Sequence, residues 1–222
     1  MLAFLGIYLI NLGKHLNIMS TKEKIINESL NLFNSRTFNL TTTSSIAKKT
    51  NILEGSLWYH FNSKNDLVAK HLSLFSDLYF NRMSNTKKNS HLNVIQGLFS
   101  VYEVIWDYRY LFRDPFDQLS KTNKALFYKI SEINLSVDSW VKETVQHSRD
   151  IGILQIKDND VDSIVEISLI IGRYWLDFSM KKYPKKSNLF LRKKGINLII
   201  KSLYPFLSKG SKQIMDTIYE TN

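Results

Sequence analysis

Between Thr41 and Leu67 the chain reads TTTSSIAKKTNILEGSLWYHFNSKNDL, hydroxyl, aromatic and basic residues set around a few aliphatic ones. Thr41 is placed to cap a short helix that buries Ile46 and Ala47. Asn51 suits a tight turn, because Asn tolerates the left-handed backbone a turn often needs. A second short helix over Glu54–Tyr59 would turn Leu57 inward and leave Ser56, Trp58, Tyr59 and His60 for other faces. Two short helices joined by a turn of about four residues form a helix-turn-helix, whose second helix can enter the major groove. Glu54 can accept from a cytosine amino group. The chemistry of this stretch is therefore recognition of phosphates and base edges. Bond-breaking chemistry has no comparable support: His15, His60, His71, His91 and His147 are scattered, and no glycine-rich phosphate loop is present. Asp114 and Asp117 lie three apart, with no His or further carboxylate tied to them by spacing. The expectation is no enzyme, no catalytic residue, no cofactor and no metal site.

A helix-turn-helix is too small to bury a core unaided, so other elements must hold it. Ser20 or Thr21 can cap a helix in which Glu23 completes a capping box, with Ile25, Ile26, Ser29, Leu30 and Phe33 on one face as far as about Arg36. Phe38 and Leu40 look like plugs for the same core, and Ser63 is placed to cap a fourth helix from Lys64. The polar run Ser84–Ser90 then marks a boundary, giving one domain over 19–84 and another over 90–222. Across 222 residues there are only 3 Pro and 8 Gly, with no sustained alternation, so an all-α fold is expected. The net charge of +10 favours an anionic partner, nucleic acid or acidic membrane. Absence of Cys excludes disulfides and thiolate sites and fits a reducing cytoplasm, the expected location. Leu2–Leu12 is apolar but shorter than the roughly 20 residues that span a bilayer. Residues 1–18 are taken as an extension before a start at Met19, the rival being an apolar helix resting on the protein or a membrane.

Leu32–Phe33, Thr41, Ile46–Ala47, Gly55, Leu57, Tyr59–His60–Phe61, Lys64 and Leu67 together resemble the N-terminal signature of TetR-type transcriptional regulators, without a gap across about residues 21–67. Three positions depart from it: Thr37 where Gly is usual, Leu53 in place of a small capping residue, and Ser44 where many members carry Arg. The resemblance implies that Thr41, Ser56, Tyr59, His60 and Lys64 contact the phosphate backbone. It also implies that Glu54, Gly55 and Trp58 face base edges, with Ser44 nearby. Packing offers competing roles: Trp58 and His60 could be core residues, and Glu54 an exposed helix start. A Lys at a helix start opposes the helix dipole, which a phosphate near Lys64 would offset.

Beyond Ser90 the chain turns strongly apolar. Leu92, Val94, Ile95, Leu98, Phe99, Tyr102, Ile105 and Trp106 predict a long helix. YRYLFRDPFDQL predicts a helix ending near Arg113 and a short one begun by Pro115; it is similar to the ligand-domain opening of one TetR subgroup. Helices follow over about Thr122–Arg149, Asp160–Met180 and Ser187–Leu207, the last interrupted by Gly195. The helices over 160–180 and 187–207 suit pairing with a second copy in a homodimer, against an ordinary intrachain core. Trp106, Tyr110, Phe112, Trp140 and Trp175 are candidate walls of a small-molecule pocket. Arg109, Arg113 and Arg173 would hold a carboxylate there, or pair with Asp107, Asp114 and Asp177. KKYPKKSNLFLRKK reads as a charged linker rather than a second nucleic-acid or lipid site. The expected protein is a dimeric regulator, with no membrane span, released from a double-stranded DNA operator by a small molecule. A DNA-organising or membrane-associated protein without an inducer is the alternative.

Overall fold

The computed structural model describes residues 19–83, 90–114 and 116–220. The expectations for Leu2–Leu12, for most of the Ser84–Ser90 run and for Pro115 lie outside these residues. Among the described residues all regular structure is helical, apart from an isolated bridge between Leu154 and Leu207. No helix among them is long and apolar enough to cross a membrane.

Helix α1 covers Thr21–Arg36 and starts with the expected capping box: Glu23 N donates to Ser20 Oγ at 3.3 Å, and Ser20 N to the Glu23 carboxylate at 2.8 Å. It ends at Thr37, whose φ of 113° is a region favoured only by glycine. Thr37 therefore carries backbone strain of order 1–3 kcal/mol where the related signature has Gly. Helices α2 (Thr43–Thr50) and α3 (Glu54–His60) fall on the expected residues, with Asn51 left-handed at φ 57° between them. Leu40 is not a plug: it is 73% exposed, while Phe38 alone is buried. Helix α4 (Lys64–Met83) opens with reciprocal bonds between Ser63 and Asp66, at 3.1 and 3.2 Å.

The second part comprises α5 (His91–Asp107), α6 (Tyr110–Arg113), α7 (Asp117–Thr122), α8 (Lys124–Asp150), α9 (Val161–Lys182), α10 (Asn188–Leu203) and α11 (Lys209–Glu220). Helix α7 begins at Asp117, after a left-handed Phe116. Helix α8 is capped by the Asn123 side chain, and Gly152, at φ 75°, lies just past its end. Gly195 does not interrupt α10. A Cβ there would lie 2.0 Å from the Tyr102 hydroxyl and 2.4 Å from the Trp175 ring, so its missing side chain admits two large neighbours. The chain leaves α10 after Leu203 and forms α11, which is not among the expected helices.

Two apolar clusters hold this assembly. One joins Phe33, Ile46, Leu57 and Leu67 of the first four helices to Tyr110, Leu111 and Trp140. The other gathers α5, α9, α10 and α11 around Tyr102, Trp106, Trp175 and Leu176.

His71 sits wholly buried in the first cluster. Its Nε2 lies 2.9 Å from the Ile26 carbonyl, so that nitrogen carries the proton, and Nδ1 accepts from the Tyr110 hydroxyl at 3.0 Å. Burial pushes the imidazole down to about 4. The unfolded chain takes up a proton near pH 6.5 that the folded state refuses, so stability falls as pH drops from about 6.5 toward about 4. Urea titrations should show a loss of up to about 1.4 kcal/mol per pH unit there. His71→Leu should lose that acid sensitivity while being less stable at pH 7.

Candidate nucleic-acid interface

Helix α3 is about two turns of backbone with a single inward anchor, Leu57, which has no solvent exposure. Glu54, Gly55, Ser56, Trp58 and Tyr59 all face solvent, Trp58 at 42% and Tyr59 at 87% exposure. Trp58 is thus no core residue, and His60, partly exposed, lies edge-on to the Tyr59 ring. Leu53, 80% exposed, supplies no side-chain cap. The Thr43 hydroxyl donates to the Glu54 carboxylate and ties the start of α2 to the start of α3. Ser44 is exposed nearby on α2, followed by the exposed cations Lys48 and Lys49.

Gly55 has no intrachain justification. Its φ is not left-handed, and a Cβ built on it meets nothing within 4 Å. Glycine within a helix is about 1 kcal/mol worse than alanine. The open position leaves room for a surface from outside the chain to come close to the α3 backbone. Gly55→Ala should therefore raise stability by about 0.5–1 kcal/mol and weaken DNA binding. A variant that is more stable and binds DNA unchanged would contradict this, as read by denaturation and anisotropy.

At two of the expected phosphate contacts, Thr41 and Lys64, the side chain is engaged within the chain. Thr41 is fully buried and does not cap α2; its hydroxyl donates to the Thr37 carbonyl at 2.8 Å, and Thr42 is the cap, accepting from Ser45 N at 3.1 Å. The Lys64 ammonium donates to the carbonyls of Phe38 and Thr41, at 2.7 and 2.9 Å, and sits 4.0 Å from the Phe38 ring centroid. Those acceptors neutralise its conflict with the helix dipole from within the chain. Partial burial lowers its pKa. Lys64 thus pins the Phe38–Thr41 turn onto α4 and sets where α2 begins. Ser56, Tyr59 and His60 keep solvent-facing positions compatible with phosphate contact.

The unit is gripped from the other side by α6. Arg113 donates through its two terminal nitrogens to the carbonyls of Asn34 and Phe33, both at 3.0 Å, satisfying the open end of α1. Its Nε lies 3.1 Å from Asp114, whose other oxygen accepts from Phe38 N. Asn34 answers by donating to the Asp107 carbonyl and accepting from Tyr110 N at 3.1 Å. Arg113 also reaches Met180 of α9. Burial raises the Asp114 carboxyl, offset in part by Phe38 N–H and Arg113. Sequence spacing could not find this clamp, since its bonds to the end of α1 join residues some 73–80 apart.

Phe112, on the same turn as Arg113, borders a cavity of about 140 Å³ between α5, α8, α9 and α10. Of the expected walls, Phe112 and Trp140 line it; Trp106, Tyr110 and Trp175 do not. Trp106 is buried under the Arg109 guanidinium, Tyr110 is bonded to His71, and Trp175 donates to the Leu191 carbonyl at 2.9 Å. The walls missed by choosing large aromatics are mostly aliphatic, among them Leu98, Val137, Leu176 and Ile199. Of the three arginines only Arg173 reaches the wall, and it pairs with Asp138 rather than Asp177.

A family profile described as a bacterial transcriptional repressor, TetR, matches residues 77–214, and one for bacterial regulatory proteins of the tetR family matches residues 25–70. The biofilm operon icaADBC HTH-type negative transcriptional regulator IcaR of Staphylococcus aureus is 28% identical over 165 residues, 72% of this chain and 86% of its own length. A TetR-family transcriptional regulator from Marinobacter aquaeolei superposes with a TM-score of 0.72 at 22% identity, covering 91% of this chain and 98% of that one. The ketosteroid transcriptional regulator KstR2 of Mycobacterium tuberculosis gives 0.65 at 23%, covering 88% and 98%.

Proposed function

The chain belongs to the TetR family of DNA-binding transcriptional regulators, not enzymes, and we propose that it acts as a homodimeric repressor released from its operator by a small ligand. The observation that carries this reading is the outward face of α3, where an open Gly55 sits among Glu54, Ser56, Trp58 and Tyr59. Residues 19–84 serve as the reading unit and 90–222 as the ligand and dimer unit. Each α3 enters one major groove, the two about 34–36 Å apart or a multiple of that, on a palindromic site. Glu54, Gly55 and Trp58, with Ser44 beside them, meet base edges; Ser56, Tyr59 and His60 meet phosphates. Ligand acts by favouring the arrangement whose spacing no longer fits the DNA. The α6 turn is the natural transmitter, with Phe112 at the cavity and Arg113 on the end of α1. The working compartment is the cytoplasm.

Pairing through α9 and α10 is supported by Ile167, Ile170 and Tyr174, spaced as one stripe on α9 and 41%, 65% and 65% exposed in the single chain. Ile170→Lys should give a monomer by light scattering and weaken operator binding by roughly 100-fold as the two half-sites uncouple. A persisting dimer would move the interface elsewhere. Selection of bound genomic fragments by the purified protein tests the whole reading. A few two-fold-symmetric sites are expected; many scattered sites would favour a DNA-organising role instead.

A further inference from the structure

Leu53 sits where its side chain does nothing for the folded chain. It flanks the start of α3 in extended backbone, its side chain is 80% exposed, and it makes no capping bond. Leucine is among the least favourable residues at such a position, where a Ser, Thr, Asp or Asn side chain would accept from the first turn. Only its backbone carbonyl is used, accepting from Ser56 N at 3.0 Å and from Leu57 N at 3.3 Å, as that of any residue could. A single exposed leucine is ordinary elsewhere on a protein surface. This one adjoins Glu54 and the open Gly55, and the exposed Trp58 stands on the same short helix.

Chemistry narrows what Leu53 can meet in a major groove. Its side chain neither donates nor accepts, so phosphates and the polar edges of adenine, guanine and cytosine offer it nothing. The one apolar group that a base pair presents there is the methyl group of thymine. We propose that Leu53 of each protomer packs on a thymine methyl at a fixed position in its half-site, and so specifies a T·A pair there. This rests on the DNA-reading face described above and adds a specificity residue together with the base it selects. The contact forms only on DNA, consistent with a leucine standing where a capping side chain would stabilise the free chain.

The test replaces thymine by deoxyuridine in a duplex carrying a selected site, one symmetry-related pair of positions at a time. The change removes the methyl group and leaves base pairing and every hydrogen-bonding edge intact. Affinity is read by anisotropy for the full chain as wild type, Leu53→Ala and Leu53→Ser. At one pair of positions the wild type should bind roughly 15-fold more weakly, about 4-fold for each methyl removed from an apolar contact. Leu53→Ala should bind the unmodified duplex more weakly and lose most of the distinction between thymine and deoxyuridine at that pair. Leu53→Ser should lose it too while its Tm rises by about 2–4 °C, because serine supplies the missing cap. That combination separates a contact with DNA from a role in the fold. A wild type indifferent to every replacement, or a dependence that persists in both variants, would overturn the assignment and leave the repressor reading in place. A wild type with no preference for the selected duplex over a scrambled one would overturn both.

Discussion

Arg113→Ala should lower folding stability by about 3–5 kcal/mol, because it leaves a buried carboxylate without its cation and the end of α1 without donors. The Asp114 side chain is only 3% exposed and keeps a single bond, from Phe38 N. The carbonyls of Phe33 and Asn34 lose their guanidinium donors together. The deficit should depend on pH in a defined direction. Burial already raises the Asp114 carboxyl, and removing Arg113 removes one influence that lowers it. In the variant the folded state therefore binds that proton more readily than the unfolded chain does. Stability relative to wild type should improve as the pH falls through the carboxylate range and worsen as it rises again. Asp114→Asn in the same background should recover part of the loss at pH 7, since a neutral amide does not need the cation. Denaturant titrations at two pH values measure all of this; a deficit that is small, or identical at pH 7 and pH 4.5, contradicts the clamp. The variant should also bind operator more weakly, because the end of α1 that leads into the Phe38–Thr41 turn seating α2 loses its guanidinium donors.

Gly195→Ala is the second large effect. One methyl group must occupy space 2.0 Å from the Tyr102 hydroxyl and 2.4 Å from the Trp175 ring, both large side chains in a buried setting. Such overpacking typically costs about 1–3 kcal/mol, and two rigid neighbours place this case at the upper end. Alanine has the better helix propensity by about 1 kcal/mol, so any destabilisation measures the clash against that gain. Adding Tyr102→Phe should restore part of the stability, because it removes the nearest atom while leaving Trp175. A Gly195→Ala protein as stable as wild type would mean that α10 can move away from α5 and α9 without penalty.

Much of the reading end was legible because its signals are local. The Ser20–Glu23 box, the turn at Asn51 and the inward Leu57 depend on residues within one or two turns, and helices α1 to α3 fall where spacing puts them. Thr41 and Lys64 show where locality stops. A threonine before a helix suits a cap, but Thr42 lies one residue nearer and takes that part. A lysine at a helix start suits a phosphate, and its bonds to two carbonyls more than 20 residues upstream could not be read from the local sequence. The cavity was harder still. Size and aromaticity pointed to Trp106 and Trp175, whereas close packing puts those rings in solid core and leaves the void among aliphatic chains. Gly195 looked like a helix breaker because its partners, Tyr102 and Trp175, are distant in sequence or on another helix.

The claim that α3 presents a DNA-reading face is tested most directly by anisotropy of a labelled duplex carrying a selected site, titrated with the protein across a range of salt. The logarithm of affinity should fall linearly with the logarithm of salt, and a scrambled duplex should bind more weakly throughout. Equal affinity for both duplexes, or no dependence on salt, would contradict it.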